Sequence, residues 1–153
     1  MKQFLKPYVS SQSGWIIESS SGSRIGRHDG AIFYTLGQRR GLGVGGGLPY
    51  YVVGKDMDKN EVYVSRDLND QALWRDRLEL AGQHWIGGRA PDTDKLYLAR
   101  LRHRAPLVPA RLKRNGPSGR LSLELVEPQR AIAPGQSAVI YDDQVCLGGG
   151  VIV

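Results

Sequence analysis

Residues 97–114, YLARLRHRAPLVPARLKR, alternate apolar and cationic side chains with the two-residue period of a β-strand. Leu121, Leu123 and Leu125, alternating with Ser122 and Glu124, repeat that period a few residues later. A chain patterned this way has to bury one face of a sheet, and no other feature narrows its fold as much. Glycine is abundant, at 20 residues, while sustained helical periodicity is scarce. Beyond a polar stretch at Asp67–Leu73, six strands are expected at about 75–86, 95–104, 108–114, 120–126, 137–141 and 144–153. Six short strands joined by Gly, Pro and Asn turns leave no open edge if they close into an antiparallel barrel. Leu121, Leu123, Leu125, Val139 and Val151 are expected inside it. The polar stretch then divides the chain into a small central domain, 1–72, and a C-terminal β-barrel, 73–153.

In the first part, Trp15–Ile17 and Arg24–Gly26 read as short strands around an SSSGS turn, and Tyr50–Gly54 and Val62–Ser65 flank DMDKN as a hairpin. A short helix is expected between these pairs. Asp29 would cap it, Ile32, Phe33 and Leu36 would form its apolar stripe, and Gly41 would end it. The fold class is thus mainly β: a small α+β domain followed by a six-stranded antiparallel barrel.

Charge points to a partner. If Leu98–Arg104 is extended, Arg100, Arg102 and Arg104 share one face, and Arg111 and Lys113 continue it after Pro106 and Pro109. Five cations without an acid repel one another unless a polyanion lies against them, which suggests nucleic acid. Residues 89–130 hold ten Lys or Arg against four acids, a surplus of six that equals the formal charge of the whole chain, +6. The pI of 9.7 therefore comes from one patch. Phosphate contacts of this kind give affinity and register but little sequence information. The plainer alternative is a solvated basic face that holds no ligand.

Other motif-like features carry less. Gly41, Gly43 and Gly46 match G-x-G-x-x-G, but a dinucleotide loop must follow a strand and open a helix, whereas this run precedes Pro49 and a strand. A hinge, or a loop of close backbone approach, explains it better. No G-K-[ST] follows any glycine run, and His28, His84 and His103 have no cysteines at zinc spacing. His28 and Asp29 are adjacent, so they rarely face one another, and Asp29 serves better as a cap. Cys146, the single cysteine, lies in an apolar strand before a triple glycine and reads as a buried, inert thiol. We therefore expect no catalytic residue, no metal site and no cofactor in this chain. It has no apolar run of the ~20 residues a membrane span needs, no signal-peptide core at its start and no possible internal disulfide, so a cytoplasmic location is expected.

Three blocks, GRHDGAIFYTLGQRRGLGVGG, PYYVVGKDMDKNEVYVS and APGQSAVIYDDQVCLGGGVI, together resemble the C-terminal portion of tRNA-specific 2-thiouridylases, a family whose older name, methyltransferase, does not match its chemistry. The likeness runs along nearly all of the chain. It implies a small central domain and a β-barrel similar to the second domain of translation elongation factors. It also implies an enzyme that thiolates the wobble uridine of the Lys, Glu and Gln tRNAs with ATP and a persulfide from a sulfur-donor protein. The family's ATP loop and catalytic cysteine pair belong to an N-terminal domain with no counterpart here. KQFLKPYV falls just after the second of those cysteines, so the chain is expected to be a truncated piece or stray fragment, inactive alone. For tRNA contacts the resemblance implies Arg102 and His103, in Leu101-Arg102-His103-Arg104, and Gln136 in the P-G-Q-S turn. His103 falls on the opposite strand face from Arg102 unless the strand ends or bulges there, and Gln136 could equally cap its own turn. The alternative function is a free-standing barrel that binds protein.

Overall fold

The computed structural model describes residues 7–9, 12–45, 47–67, 69–93, 95–115 and 120–153. Gly46 of the glycine motif, Leu68 of the polar stretch, Asp94 and the first six residues lie outside the described residues. The chain divides into two compact units, Met1–Leu73 and Trp74–Val153.

The first unit is a four-stranded mixed sheet in the order β2-β1-β4-β3. β1 (Gly14–Glu18) pairs antiparallel with β2 (Arg24–His28) and parallel with β4 (Glu61–Ser65), which pairs antiparallel with β3 (Tyr51–Asp56). Ile16, Val52, Val62 and Val64 are almost fully buried on one face, under Tyr34, Leu42 and Tyr50.

The expected helix after Asp29 does not form. Among the described residues there is no α-helix, only 3-10 turns at Ala31–Phe33 and Gln71–Leu73, so the unit is a mixed sheet and not α+β. Gly30, at φ 141°, occupies the cap position, no side chain caps the turn, and Tyr34 is already extended. The backbone then pairs with β3: Gly37 N–H donates to Val52 O at 2.7 Å, and Val52 N–H to Gln38 O at 2.9 Å. Sheet-like hydrogen bonds thus take the groups a helix would have used, and Phe33 and Leu36 pack on the core without an α-helix between them. The loop that follows folds back, burying Leu42 and seating Val44 over Gly26.

Asn60 anchors this fold at the β3–β4 turn. It adopts φ 53°, a conformation Asn tolerates better than most residues. Its side chain accepts from Ala31 N–H at 2.9 Å and donates to Gln12 O at 2.8 Å. Buried His28 accepts from Gly30 N–H through Nδ1 at 2.9 Å.

The second unit is the expected closed, antiparallel, six-stranded barrel, ordered β10-β5-β8-β7-β6-β9. Its strands are β5 (Trp74–Trp85), β6 (Leu96–Arg100), β7 (Val108–Asn115), β8 (Arg120–Arg130), β9 (Ser137–Asp142) and β10 (Val145–Ile152). Leu123 and Leu125 lie in the core with Leu78, Leu112, Ala138, Ile140 and Ile152, and Leu121 is buried. Val139 and Val151 do not point inside as expected: Val139 is only half-buried and Val151 is exposed. Register shifts in β10, at Cys146/Gly148 and Gly149/Val151, offset the alternation and turn Ile152 inward in place of Val151. Cys146 is half-buried and not fully enclosed.

Closure depends on the triple glycine. A Cβ on Gly148 would lie 2.1 Å from His84 O, and one on Gly149 would lie 2.0 Å from Ala138 O. β10 thus sits between β5 and β9 at a distance only glycine allows.

Candidate nucleic-acid interface

The expected row of five cations is not one row. β6 ends at Arg100, although the alternation runs on to Arg104, because Arg102–Ala105 closes into a turn with Ala105 N–H donating to Arg102 O at 3.1 Å. Arg104 takes φ 61° within that turn. Arg102 and Arg104 therefore leave the sheet face, and the strand geometry that set Arg102 against His103 does not apply. The register separates the rest. Leu96 pairs with Arg111 and Ala99 with Val108, so Arg100 and Arg111 are four residues apart along the strands, roughly 13 Å at ~3.3 Å per residue. Acids also enter: Glu124 of β8 sits opposite both Arg111 of β7 and Arg77 of β5, 3.8 Å from the Arg77 guanidinium.

The fold instead gathers residues at one end of the barrel, where the 101–107 and 131–136 connections emerge. Arg102 joins them, its Nη2 donating to Arg130 O at 2.8 Å and to Ala131 O. Ala131 holds φ 55°, an unfavourable conformation for alanine that those bonds help to secure. Nearby, Ala133 N–H donates to the side-chain oxygen of Gln136 at 3.3 Å, and Gln136 N–H to Ala133 O at 3.3 Å. Gln136 thus spends its amide oxygen on its own turn, while its main chain pairs with Ile152.

Arg100 lies beside this end with its guanidinium 5.8 Å from the Tyr141 ring, and its Nε is buried without a hydrogen bond. His103 and Arg104 are exposed at the turn. Beneath them a cleft of about 120 Å³ is lined by Leu101, Arg102, Pro106, Val108, Gln129 and Ile132, among others. Arg100, Arg102, His103, Arg104 and Gln136 are thus together, while Arg111 and Lys113 lie farther along β7. Sequence reasoning missed Ala131 and Tyr141, since neither an alanine's left-handed φ nor a ring across a strand pair leaves a local signal. Along another edge, Lys95 Nζ donates to Asp142 at 2.6 Å, and that bond holds the ammonium pKa above its ordinary value. Among the described residues no three His, Cys, Asp or Glu side chains gather as a metal would need, and no helix is long and apolar enough to cross a membrane.

A mixed sheet followed by a closed barrel that carries guanidinium groups at one end defines a tandem all-β protein. Comparison with known families places it. Residues 2–66 match the tRNA methyl transferase PRC-barrel domain, and residues 75–152 match the aminomethyltransferase beta-barrel domain. The chain is 40% identical to the tRNA-specific 2-thiouridylase MnmA of Methylobacillus flagellatus, over 99% of its own length and 43% of that protein. It is 39% identical to the protein of the same name from Stenotrophomonas maltophilia K279a, covering 41% of it, and 40% identical to that from Halalkalibacterium halodurans, covering 40%. The chain belongs to the tRNA-specific 2-thiouridylase family, of which it carries the PRC-barrel and C-terminal β-barrel domains. It spans about two-fifths of the length of these relatives.

Proposed function

We propose that this chain is the tRNA-docking part of a tRNA 2-thiouridylase, the sulfur transfer to the wobble uridine being carried by the region its relatives have beyond the matched span. The observation that supports it most is the tandem match of both domains, over residues 2–66 and 75–152, beside relatives aligned over 99% of the chain. In this reading the substrate is a tRNA of the Lys, Glu or Gln type, and ATP and the sulfur-donor protein meet the other region. The setting is the cytoplasm.

The geometry of the barrel end favours a division of labour. Arg102, bound to two main-chain carbonyls, orders the paired turns, and His103 and Arg104 beside it reach the RNA. Arg100 adds a cation at the same end, while Gln136 shapes the neighbouring turn and offers its amide nitrogen. Arg111 and Lys113 meet phosphates at a second, more distant place. Removing any one of the phosphate-binding cations should lower the salt slope of binding by about one unit.

The test is a titration of unmodified tRNA transcript into the chain at several salt concentrations. Tight binding that weakens steeply with salt is expected, and His103→Ala with Arg104→Asn (a residue that tolerates positive φ) should weaken it about tenfold. Absent or salt-independent binding would overturn the reading and favour a protein-binding barrel. Incubated with ATP, sulfide and tRNA, the chain alone should form no 2-thiouridine.

A further inference from the structure

The first unit carries an arginine pair that the tRNA-contact residues of the barrel do not include. β1 and β2 pair with a bulge at Ile25: Ile16 faces Gly26, but the next residue, Ile17, faces Arg24. In a regular strand Arg24 and Arg27, three apart, would point to opposite faces. The extra residue restores the phase. Ile25 and Gly26 both turn to the core, against Val44 and Ile16, and both arginines stand on the other face beside Trp15. Their guanidinium carbons lie 4.8 Å and 4.5 Å from the centroid of the Trp15 ring. Bulges commonly re-aim side chains in this way at functional sites.

What surrounds the pair favours an anion. Two like charges on one indole repel, so cation–π attraction alone is a poor reason to gather them. Among the described residues no carboxylate pairs with either arginine. Glu61, the nearest acid by register, accepts from Tyr63 O–H at 2.7 Å. Glu18 is held by Ser21, Tyr50 and Arg66, and Asp56 by Lys59. Arg27 uses Nε on Ser13 at 2.9 Å, which leaves both Nη nitrogens for a ligand. The ring and the serine thus hold two planar forks, the geometry that matches phosphate oxygens.

We propose that Arg24 and Arg27, held over Trp15, form a phosphate-binding site of the first unit that takes the backbone of an RNA strand. The choice of RNA rests on the tRNA-docking reading above; the site itself rests on the bulge and the stacked pair. Two phosphate contacts here predict a salt slope about two units lower when both cations are removed.

The test titrates labelled tRNA transcript with the full 153-residue chain between about 50 and 200 mM salt. Arg24→Gln with Arg27→Gln should weaken binding about tenfold and lower the slope by about two, without moving the melting temperature. Trp15→Phe should weaken it a few-fold and leave the slope unchanged, since it loosens the forks but keeps their charge. Arg24→Glu alone, at an exposed position without a hydrogen bond, should also weaken binding and serves if the double variant unfolds. Parental affinity and slope in these variants, beside loss in the His103/Arg104 variant, would overturn this site alone. Failure of the parent to bind RNA would overturn the docking reading as well. A nitrogen-labelled indole resonance of Trp15 that shifts with inorganic phosphate but not with tRNA would mark a free-anion site and also refute the proposal.

Discussion

In the barrel Arg77 meets Glu124, Lys95 meets Asp142 and Arg102 meets two main-chain carbonyls, whereas in the first unit Arg24 and Arg27 meet an indole and a serine hydroxyl. Both units are sheets that carry arginines, yet the first keeps two cations beside each other with no anionic or carbonyl partner among the described residues. A charge count cannot register that difference. Counted along the sequence, the surplus lies in residues 89–130, and the first 88 residues look balanced. In space, several of the barrel's cations hold its own structure together, and the balanced half presents the open pair. Where the partner of a charge sits matters more than the total.

Close approach is local in both sheets, and the largest effect we predict compares a crowded glycine of the barrel with an uncrowded one of the first unit. Gly149→Ala places a methyl about 2 Å from the Ala138 carbonyl oxygen, in a closed barrel with no edge to give way. The cost should reach or exceed ~3 kcal/mol, the upper part of the usual overpacking range, and the second unit should melt far lower or fail to fold. Gly54→Ala is the matching change in β3 of the first unit, where the added carbon meets only the Tyr63 side chain at 3.6 Å. Its melting temperature should barely move. Equal effects at the two positions would show that the close approach to Ala138 is not what requires glycine at 149.

Arg102→Ala comes next. It removes both bonds that tie the 101–105 turn to Arg130 and Ala131, one of them partly buried. A charged donor to a carbonyl contributes about 1.5–3 kcal/mol when shielded, and exposure of this side chain reduces that to ~1–2 kcal/mol. Thermal melting should show a clear fall for Arg102→Ala, while Arg24→Gln leaves stability unchanged. A melt unaltered by Arg102→Ala would mean that the clasp is dispensable and that the arginine is free to serve RNA directly.

These residues also show what the sequence reveals and what it hides. The barrel is legible because β7 and β8 alternate cleanly over Ala110–Leu112 and Leu121–Leu125, and alternation reports which face is buried. It does not report where a strand stops. The period continues through Arg102 and Arg104, but Arg100 is the last residue of β6, since a turn closed by Ala105 competes for the same backbone. Bulges defeat the period as well: one at Ile25 brings Arg24 and Arg27 together, and the shifts in β10 send Val151 outward. The helix expected at Asp29 is absent for a related reason. Ile32, Phe33 and Leu36 fit a helical stripe, but Gly37 and Gln38 find partners on Val52, farther along the chain than a local window reaches. Of the barrel-end residues, Arg102 is marked by both the charge pattern and the family likeness, and His103 and Gln136 by the likeness alone. Ala131 and Tyr141 could be found only in the fold.

The smallest effect is an acid limb in the first unit. In the first unit, a hydrogen bond from Ser21, then one from Tyr50, holds the Glu18 carboxyl below its ordinary value, and the Lys59 backbone does the same for Asp56. A carboxyl whose pKa is lower when folded contributes stability above its unfolded value, and that contribution is lost as pH falls through the folded one. The unfolded values are near 4.5 for Glu18 and 3.8 for Asp56, so the loss belongs to about pH 4 and below. The perturbed groups of the barrel, Lys95 and Tyr97, are shifted upward and act at alkaline pH. As pH falls below about 4 the first unit should therefore lose stability, though only slightly, because both carboxyls are solvated. Trp15 fluorescence, in a variant with Trp74 and Trp85 replaced by Phe, follows the first unit alone. Glu18→Gln should flatten its acid limb, and an acid limb left unchanged by that substitution would contradict the assignment of this shift.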